Sequence, residues 1–234
     1  MVNATDIEWL GERYPALKLT ATGRVSGPVE FSATYNRQQN VFQILYPGDE
    51  DVTGGLSLAG AFNISIEERG KDQDSPSRLP ALRIAGITKN ADRHISPDDS
   101  ACLCSPFAEK DFDTPEFVFR AYFERLVIPF LYGQMYYEKE KHWPWDDYSH
   151  GNLGILEAYD TASNRGAVEE CLQQLRRDTA TWPQVRALLR QHRAISDSAP
   201  CICKWHHRMT KCHPRALRGI QQLRLDLRSM HVRV

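Results

Sequence analysis

The apolar residues change period once along the chain, near residue 114, and that change restricts the fold more than any other feature. Before it, Val29, Phe31, Ala33 and Tyr35 sit two apart, the repeat of a half-buried strand. VFQILYP (41–47), LAGAFNISIEE (58–68) and ALRIAGIT (81–88) read as three more strands, with Phe62, Ile64 and Ile66 sharing a face. A short helix within 4–18, capped by Asp6 or Thr5, precedes them. The polar stretch ERGKDQDSPSR reads as a surface loop. After the change, helical repeats dominate. Thr114 can cap a helix and Pro115 suits its first turn. Phe117, Phe119, Tyr122, Phe123, Leu126, Val127, Phe130 and Leu131 then cover most of the circumference, so that helix should be buried. Pro129 must kink or divide it. Further helical patterns run over 152–160, 165–177 and 182–193. A final stripe, Ala216, Ile220, Leu223, Leu227 and Met230, favours a helix over the strand that LRLDL would otherwise allow. The expected class is α+β: an N-terminal helix, a four-stranded antiparallel meander and a long helix, followed by a helical extension and a small C-terminal element. By texture the chain divides at 1–138, 139–196 and 197–234.

The 234 residues are 41% hydrophobic and 25% charged, which fits a globular chain. No run approaches the about 18 consecutive apolar residues that span a membrane, so no membrane partner is expected. MVNATDIEWLGERYP lacks a basic segment followed by an apolar run, which predicts a cytoplasmic protein with reduced cysteines. Metal or nucleophile roles for the six cysteines then outrank disulfides. Net charge is −1, but from Cys201 onward eight Lys or Arg face one acidic residue, Asp226. Such a tail suits an anionic partner or a solvated face.

RHISPDDSACLCSP (93–106) gathers His94, Asp98, Asp99, Cys102 and Cys104. Pro97, Asp98, Asp99 and Ser100 are turn formers, so the cysteines sit on or just after a loop. An exposed loop cysteine is a better nucleophile than one in an apolar run. Nearby carboxylates would raise a thiol pKa, which argues against a thiolate–imidazolium pair. They suit a cysteine that receives its acyl group as a preformed thioester. Two other roles are open on pattern alone: a C-x-C metal pair with His94, or structural cysteines in a half-buried extended segment.

The order helix, four strands, "H…[DG]-S-x-C-L" loop and long helix resembles that of ubiquitin-conjugating enzymes, and HISPDDSACL is similar to their bacterial relatives. The resemblance spans roughly 5–135. It implies that Cys102 accepts a ubiquitin-like protein from an activating enzyme and passes it to an amine on a target protein. It also implies that His94 assists the oxyanion or the loop, and that Asp98 and Asp99 help position the incoming ammonium. Bacterial relatives occur in antiviral defence. Asp99 stands where that family often has glycine and Ala101 where it has a larger aliphatic. The eukaryotic His-Pro-Asn tripeptide is replaced by His94-Ile95-Ser96.

Near the C-terminus, Cys201, Cys203, Cys212 and His213 are four good zinc ligands. Their spacing resembles the SEC-C motif, C-x-C-x(8)-C-[CH], which implies a structural Zn2+ that staples the tail. KWHHRMTK replaces the usual Gly-Ser-Gly and basic run, making His206 and His207 competing ligands. Lys204, Arg208, Lys211 and Arg215 lie around the motif, but without a longer basic stripe nucleic acid is not an expected partner. Cys171, inside EECLQQL, reads as a buried filler. The connector HWPWDDYSHGNLG (142–154) carries His142, Asp146, Asp147 and His150, metal-capable by type. Two other functions therefore stand beside the conjugating enzyme: a non-catalytic adaptor with a basic zinc tail, and a metal-dependent enzyme built on the connector.

Overall fold

A computed structural model describes residues 2–69, 77–109, 111–112, 117–160, 165–191, 193–196, 198–203 and 207–234. The elements are α1 (Ala4–Arg13), β1 (Lys18–Leu19), β2 (Val25–Asn36), β3 (Val41–Ile44), β4 (Leu56–Glu67), β5 (Ala81–Ile84), α2 (Pro106–Glu109), α3 (Phe119–Tyr122), α4 (Ile128–Glu140), α5 (Asn152–Tyr159), α6 (Arg165–Arg177), α7 (Trp182–Arg190), α8 (Met209–Cys212) and α9 (Pro214–Ser229). The fold is α+β with an antiparallel sheet. It forms two compact units. The first takes in the chain as far as Cys104 plus Ala108–Asp147, and the second holds Ser105–Phe107 plus Tyr148–Val234. Texture divides the sequence at 138 and 196; packing divides it at 147, with extension and tail sharing one core.

In the first unit, α1 is capped by Asn3 instead of Asp6 or Thr5. The Asn3 side chain accepts from the Asp6 amide at 2.9 Å, and the Asp6 carboxylate accepts from the Asn3 amide at 3.0 Å. This reciprocal box satisfies two helix-end donors. The sheet is built on β2, which pairs antiparallel with β4 from Val25↔Ile66 to Tyr35↔Leu56. With β4 along one edge of β2, the other edge is shared: β1 pairs at Val25 and Ser26, β3 at Ala33–Asn36. β4 in turn pairs with β5. The path is therefore β1–β2–β4–β5 with β3 to one side. A four-stranded meander is present, but 41–47 is not one of its rungs, and its first strand is the pair Lys18–Leu19. The Asp51–Gly55 loop explains the detour, because it returns the chain to the opposite edge of β2. Asp51 accepts from the amide and hydroxyl of Thr53, each at 2.8 Å, and the Thr53 hydroxyl meets that of buried Thr34 at 3.0 Å.

The sheet buries Val29, Phe31, Ala33, Ile64 and Ile66 against Phe119, Tyr122, Phe123, Val127, Phe130 and Leu131. The expected effect of Pro129 takes a specific form. Proline has no N–H, and in a helix its ring crowds the carbonyl four residues back. Here a five-residue π-turn, Phe123–Val127, lies immediately before α4 and absorbs that mismatch. The cap at Thr114 and the helical Pro115 fall outside the described residues.

The second unit packs α5, α6, α7 and α9 around Leu156, Tyr159, Val168, Leu175, Ile220 and Leu223. α9 is helical through Leu223–Leu227, so the strand alternative fails, and Leu225 points to solvent. Gly219 lets α9 approach α5, because a β-carbon there would strike the Leu156 carbonyl. Cys171 is wholly buried in this core, as filler. No helix among the described residues is long and apolar enough to cross a membrane.

Gly133 on α4 performs the same task for Trp143, whose ring occupies the space of the missing β-carbon. Gly133→Ala must displace that ring from the core, and we expect a loss of about 1–3 kcal/mol in a denaturant melt, with a shifted tryptophan emission. An unchanged midpoint and spectrum would show that Trp143 is not held there.

Candidate functional site

After β5 the chain makes a 3-10 turn, Ala91–Arg93, capped by the Asn90 side chain, and then doubles back as a tight hairpin. Ile95 bridges Ala101, the Ser96 amide donates to the Ser100 carbonyl at 2.9 Å, and the Asp99 amide to the Ser96 carbonyl at 3.0 Å. Asp99 takes φ +66°, the left-handed position such a turn requires. Asp tolerates that region better than most side chains. The register sets His94 opposite Cys102, with the Cys102 amide donating to the His94 carbonyl at 2.8 Å. Their eight-residue spacing is thus the spacing of a cross-strand pair folded at Asp98. The Ala101 amide ties the hairpin to β5 through the Leu82 carbonyl at 2.8 Å.

Cys102 is exposed, while the His94 imidazole is largely buried. His94 stands edge-on to Trp143 at 4.8 Å between ring centroids, and the Trp143 indole N–H donates to the Asp92 carbonyl at 2.9 Å. Arg93 is held from α4: its Nε donates to Gln134 at 3.0 Å, and the Gln134 amide returns a bond to the Arg93 carbonyl at 2.7 Å. His94 Nε2 lies 3.3 Å from Asp147 Oδ2, and the Cys102 sulfur lies beside the same ring. Burial opposes charge on the ring, but the Asp147 carboxylate and the Cys102 sulfur outweigh it and push the His94 pKa up to about 9. At neutral pH the array is carboxylate, imidazolium and sulfur in sequence.

Asp98 and Asp99 turn elsewhere. Asp98 accepts from the Ser100 hydroxyl at 2.7 Å and amide at 3.2 Å, and Arg69 lies at 3.5 Å. Burial works against its charge, yet these donors hold the carboxyl below the usual range. Asp99 pairs with Lys89 at 2.9 Å. The two cysteines also part company. Cys104 packs half-buried against the core, and burial, reinforced by Glu109, pushes its thiol up to about 12. A thiol so shifted is a poor nucleophile, leaving Cys102 as the reactive candidate.

The second cluster forms where the chain crosses itself. Pro200 bridges Arg208, and the Met209 amide donates to the Ala199 carbonyl at 2.9 Å. The short α8 then carries Cys212 and leads into His213, which precedes α9. The ligand atoms of Cys201, Cys203, Cys212 and His213 all lie within 4.8 Å of one another, with Cys201 Sγ to His213 Nδ1 at 3.1 Å and Cys203 Sγ to Cys212 Sγ at 3.5 Å. Tetrahedral thiolates around zinc sit about 3.7 Å apart, so this set can hold a metal ion. Burial first, and the crowding of neighbouring thiols after it, raises Cys201 to about 12 and raises Cys212 as well. A cation reverses that preference by displacing the protons. His207 is exposed and contributes its carbonyl to the Cys201 amide, while His206 lies outside the described residues.

No such group forms in the connector among the described residues: Asp147 serves His94, Asp146 meets Arg37 at 3.4 Å, and His142 Nδ1 lies 2.9 Å from the Trp143 carbonyl. Asp147 as the histidine's partner was not readable from sequence, since 53 residues separate the two. Neither a family model, nor a curated protein, nor a solved structure matches this chain.

A histidine raised above its unfolded pKa of about 6.5 adds stability that is complete below that value and is lost as pH climbs through about 9. An NMR titration should therefore place the His94 midpoint near 9, and Asp147→Asn should move it down toward the unperturbed value. A midpoint unmoved by that substitution would remove Asp147 from the array. For the second cluster, elemental analysis should find one bound metal ion per chain, lost in Cys212→Ser. Unchanged stoichiometry would sink the ligand assignment.

Proposed function

We propose that the chain is a ubiquitin-conjugating-like acyl carrier that takes a ubiquitin-like protein onto Cys102 from an activating enzyme and delivers it to an amine on a target protein. The observation that carries this reading is the pairing of an exposed Cys102 with His94 on one hairpin, beside a Cys104 whose thiol pKa burial raises. The order of parts supports it: a helix, the path β1–β2–β4–β5, a cysteine loop bonded to the last strand, then a long buried helix.

In loading, the Cys102 sulfur attacks the carbonyl carbon of the partner's thioester. A new C–S bond forms, the old one breaks, and the activating enzyme's cysteine leaves as thiolate. In transfer, an amine nitrogen attacks the same carbon. The C–S bond to Cys102 breaks, the amide forms, and the ammonium proton passes to solvent. His94, held as imidazolium by Asp147, faces the Cys102 sulfur and stabilises the negative charge that gathers on it as each step passes through its transition state. It corresponds to no His-Pro-Asn asparagine, and acts on the sulfur rather than through a side-chain amide. Asp98 shapes the turn. Asp99, half exposed at the tip, and Asp147 are the carboxylates an arriving ammonium would meet. The four-ligand cluster we assign to a structural Zn2+, because a closed set leaves no position for substrate. The reading sets the protein in the cytoplasm, where thiols stay reduced.

Incubation with an activating enzyme, ATP and its ubiquitin-like protein should give a thiol-sensitive adduct on a non-reducing gel. The adduct should vanish in Cys102→Ala and persist in Cys104→Ala, and its formation should slow about 10–100-fold in His94→Ala. Loss in Cys104→Ala alone would mean the other sulfur carries the acyl group. No adduct at all would turn the reading to a non-catalytic adaptor. The same array suits release to water, which decay of the adduct without amine would reveal.

A further inference from the structure

The end of the second unit contains a cleft of about 640 Å3 that the cysteine chemistry does not use. Four arginines line it: Arg190 from α7, Arg224 and Arg228 from α9, and Arg233 from the segment after α9, with His231 beside them. Leu189, Leu227 and Val232 supply an apolar wall. Among its described lining side chains none is acidic.

Arg224 is the decisive member. It is only 7% exposed, and its Nη2 donates to the carbonyls of Gln191 and, at 2.7 Å, Arg193, while its buried Nε has no hydrogen-bond partner among the described residues. Neutral carbonyls satisfy donors but do not neutralise charge, and no carboxylate among the described residues pairs with Arg224, a costly arrangement for a buried cation. Arg228 adds a like charge nearby, its Nη2 donating to the Gln191 carbonyl at 3.2 Å. Burial first, then that like charge, depresses the Arg224 pKa. Arg190 donates to the main-chain oxygen of Val234 at 2.8 Å, and Arg233 is exposed at the rim. The hydrogen bonds from Met230 and Val232 back to Asp226 and Leu227, both at 2.9 Å, fold the final residues over the cleft and bring Arg233 to the α7 side.

We propose that this cleft binds a small organic phosphate carrying at least two negative charges, its phosphates on the arginines and its apolar part against Leu189, Leu227 and Val232. Guanidinium forks match phosphate oxygens in pairs, and the volume is that of a site for a nucleotide-sized molecule. The site is separate from Cys102 and does not depend on the acyl-transfer reading.

Titration calorimetry of the full, metal-loaded chain with inorganic pyrophosphate, a small probe that carries at least two negative charges, tests it. Saturable one-to-one binding is expected. Arg190→Gln with Arg233→Gln, both at exposed positions, should weaken it by about tenfold or more. Arg186→Gln with Arg218→Gln removes the same charge elsewhere on this unit and should change it less than about twofold. No saturation by about 10 mM, or equal loss in the two double variants, would overturn the proposal. So would tight binding of a short single-stranded RNA by a chain that ignores pyrophosphate, which would make the arginines part of a nucleic-acid surface.

Discussion

The ladder between β2 and β4 sets the geometry on which the cysteine site depends. Its register, Val25↔Ile66 through Tyr35↔Leu56, fixes which residues of both strands face the helices. β4 then positions β5, and β5 positions the hairpin through the hydrogen bond from the Ala101 amide to the Leu82 carbonyl. A slip of one residue would turn Ile64 and Ile66 outward. It would also carry Leu82 to the wrong side of the strand that anchors the loop.

From that ladder the site is assembled in two directions. The hairpin supplies Cys102 and His94 as neighbours across a turn, a local arrangement. α4 and the chain after it supply the rest: Gln134 holds Arg93, Trp143 supports His94, and Asp147 meets the His94 Nε2. The electrostatic result differs from what adjacent aspartates suggest in a linear reading. Asp98 and Asp99 are bound to Ser100, Arg69 and Lys89, so the charge that tunes the imidazole comes from elsewhere in the unit. Under the acyl-carrier reading this matters, because an imidazolium stabilises the thiolate that enters and leaves each step.

The second unit solves a different problem. Its helices have a core of their own, and the crossing of Pro200 with Arg208 is pinned at Cys201 and Met209, both buried. The four ligand atoms sit at that crossing, so a metal ion there would secure both the return of the chain and the start of α9. The basic residues that follow are not spread evenly: Arg224 is buried, and with three other arginines it lines one cleft.

The sequence by itself determined the local features. Alternation at Val29–Tyr35 and Ile64–Ile66, the helical stripe ending at Leu227, and the closeness of Cys201, Cys203, Cys212 and His213 follow from spacings of a few residues. So does the meeting of His94 with Cys102, once Pro97–Ser100 is recognised as a turn. Tertiary structure decided the rest. It chose the edge of β2 that β3 occupies, converted the expected break at Pro129 into a π-turn, and raised the Cys104 thiol pKa through burial. It also brought Asp147 to His94 and gathered Arg190 with Arg224. Turn formation and periodicity act within one element, so they leave a mark in sequence. Burial and charge pairing join residues tens of positions apart, and only the packed chain brings those together.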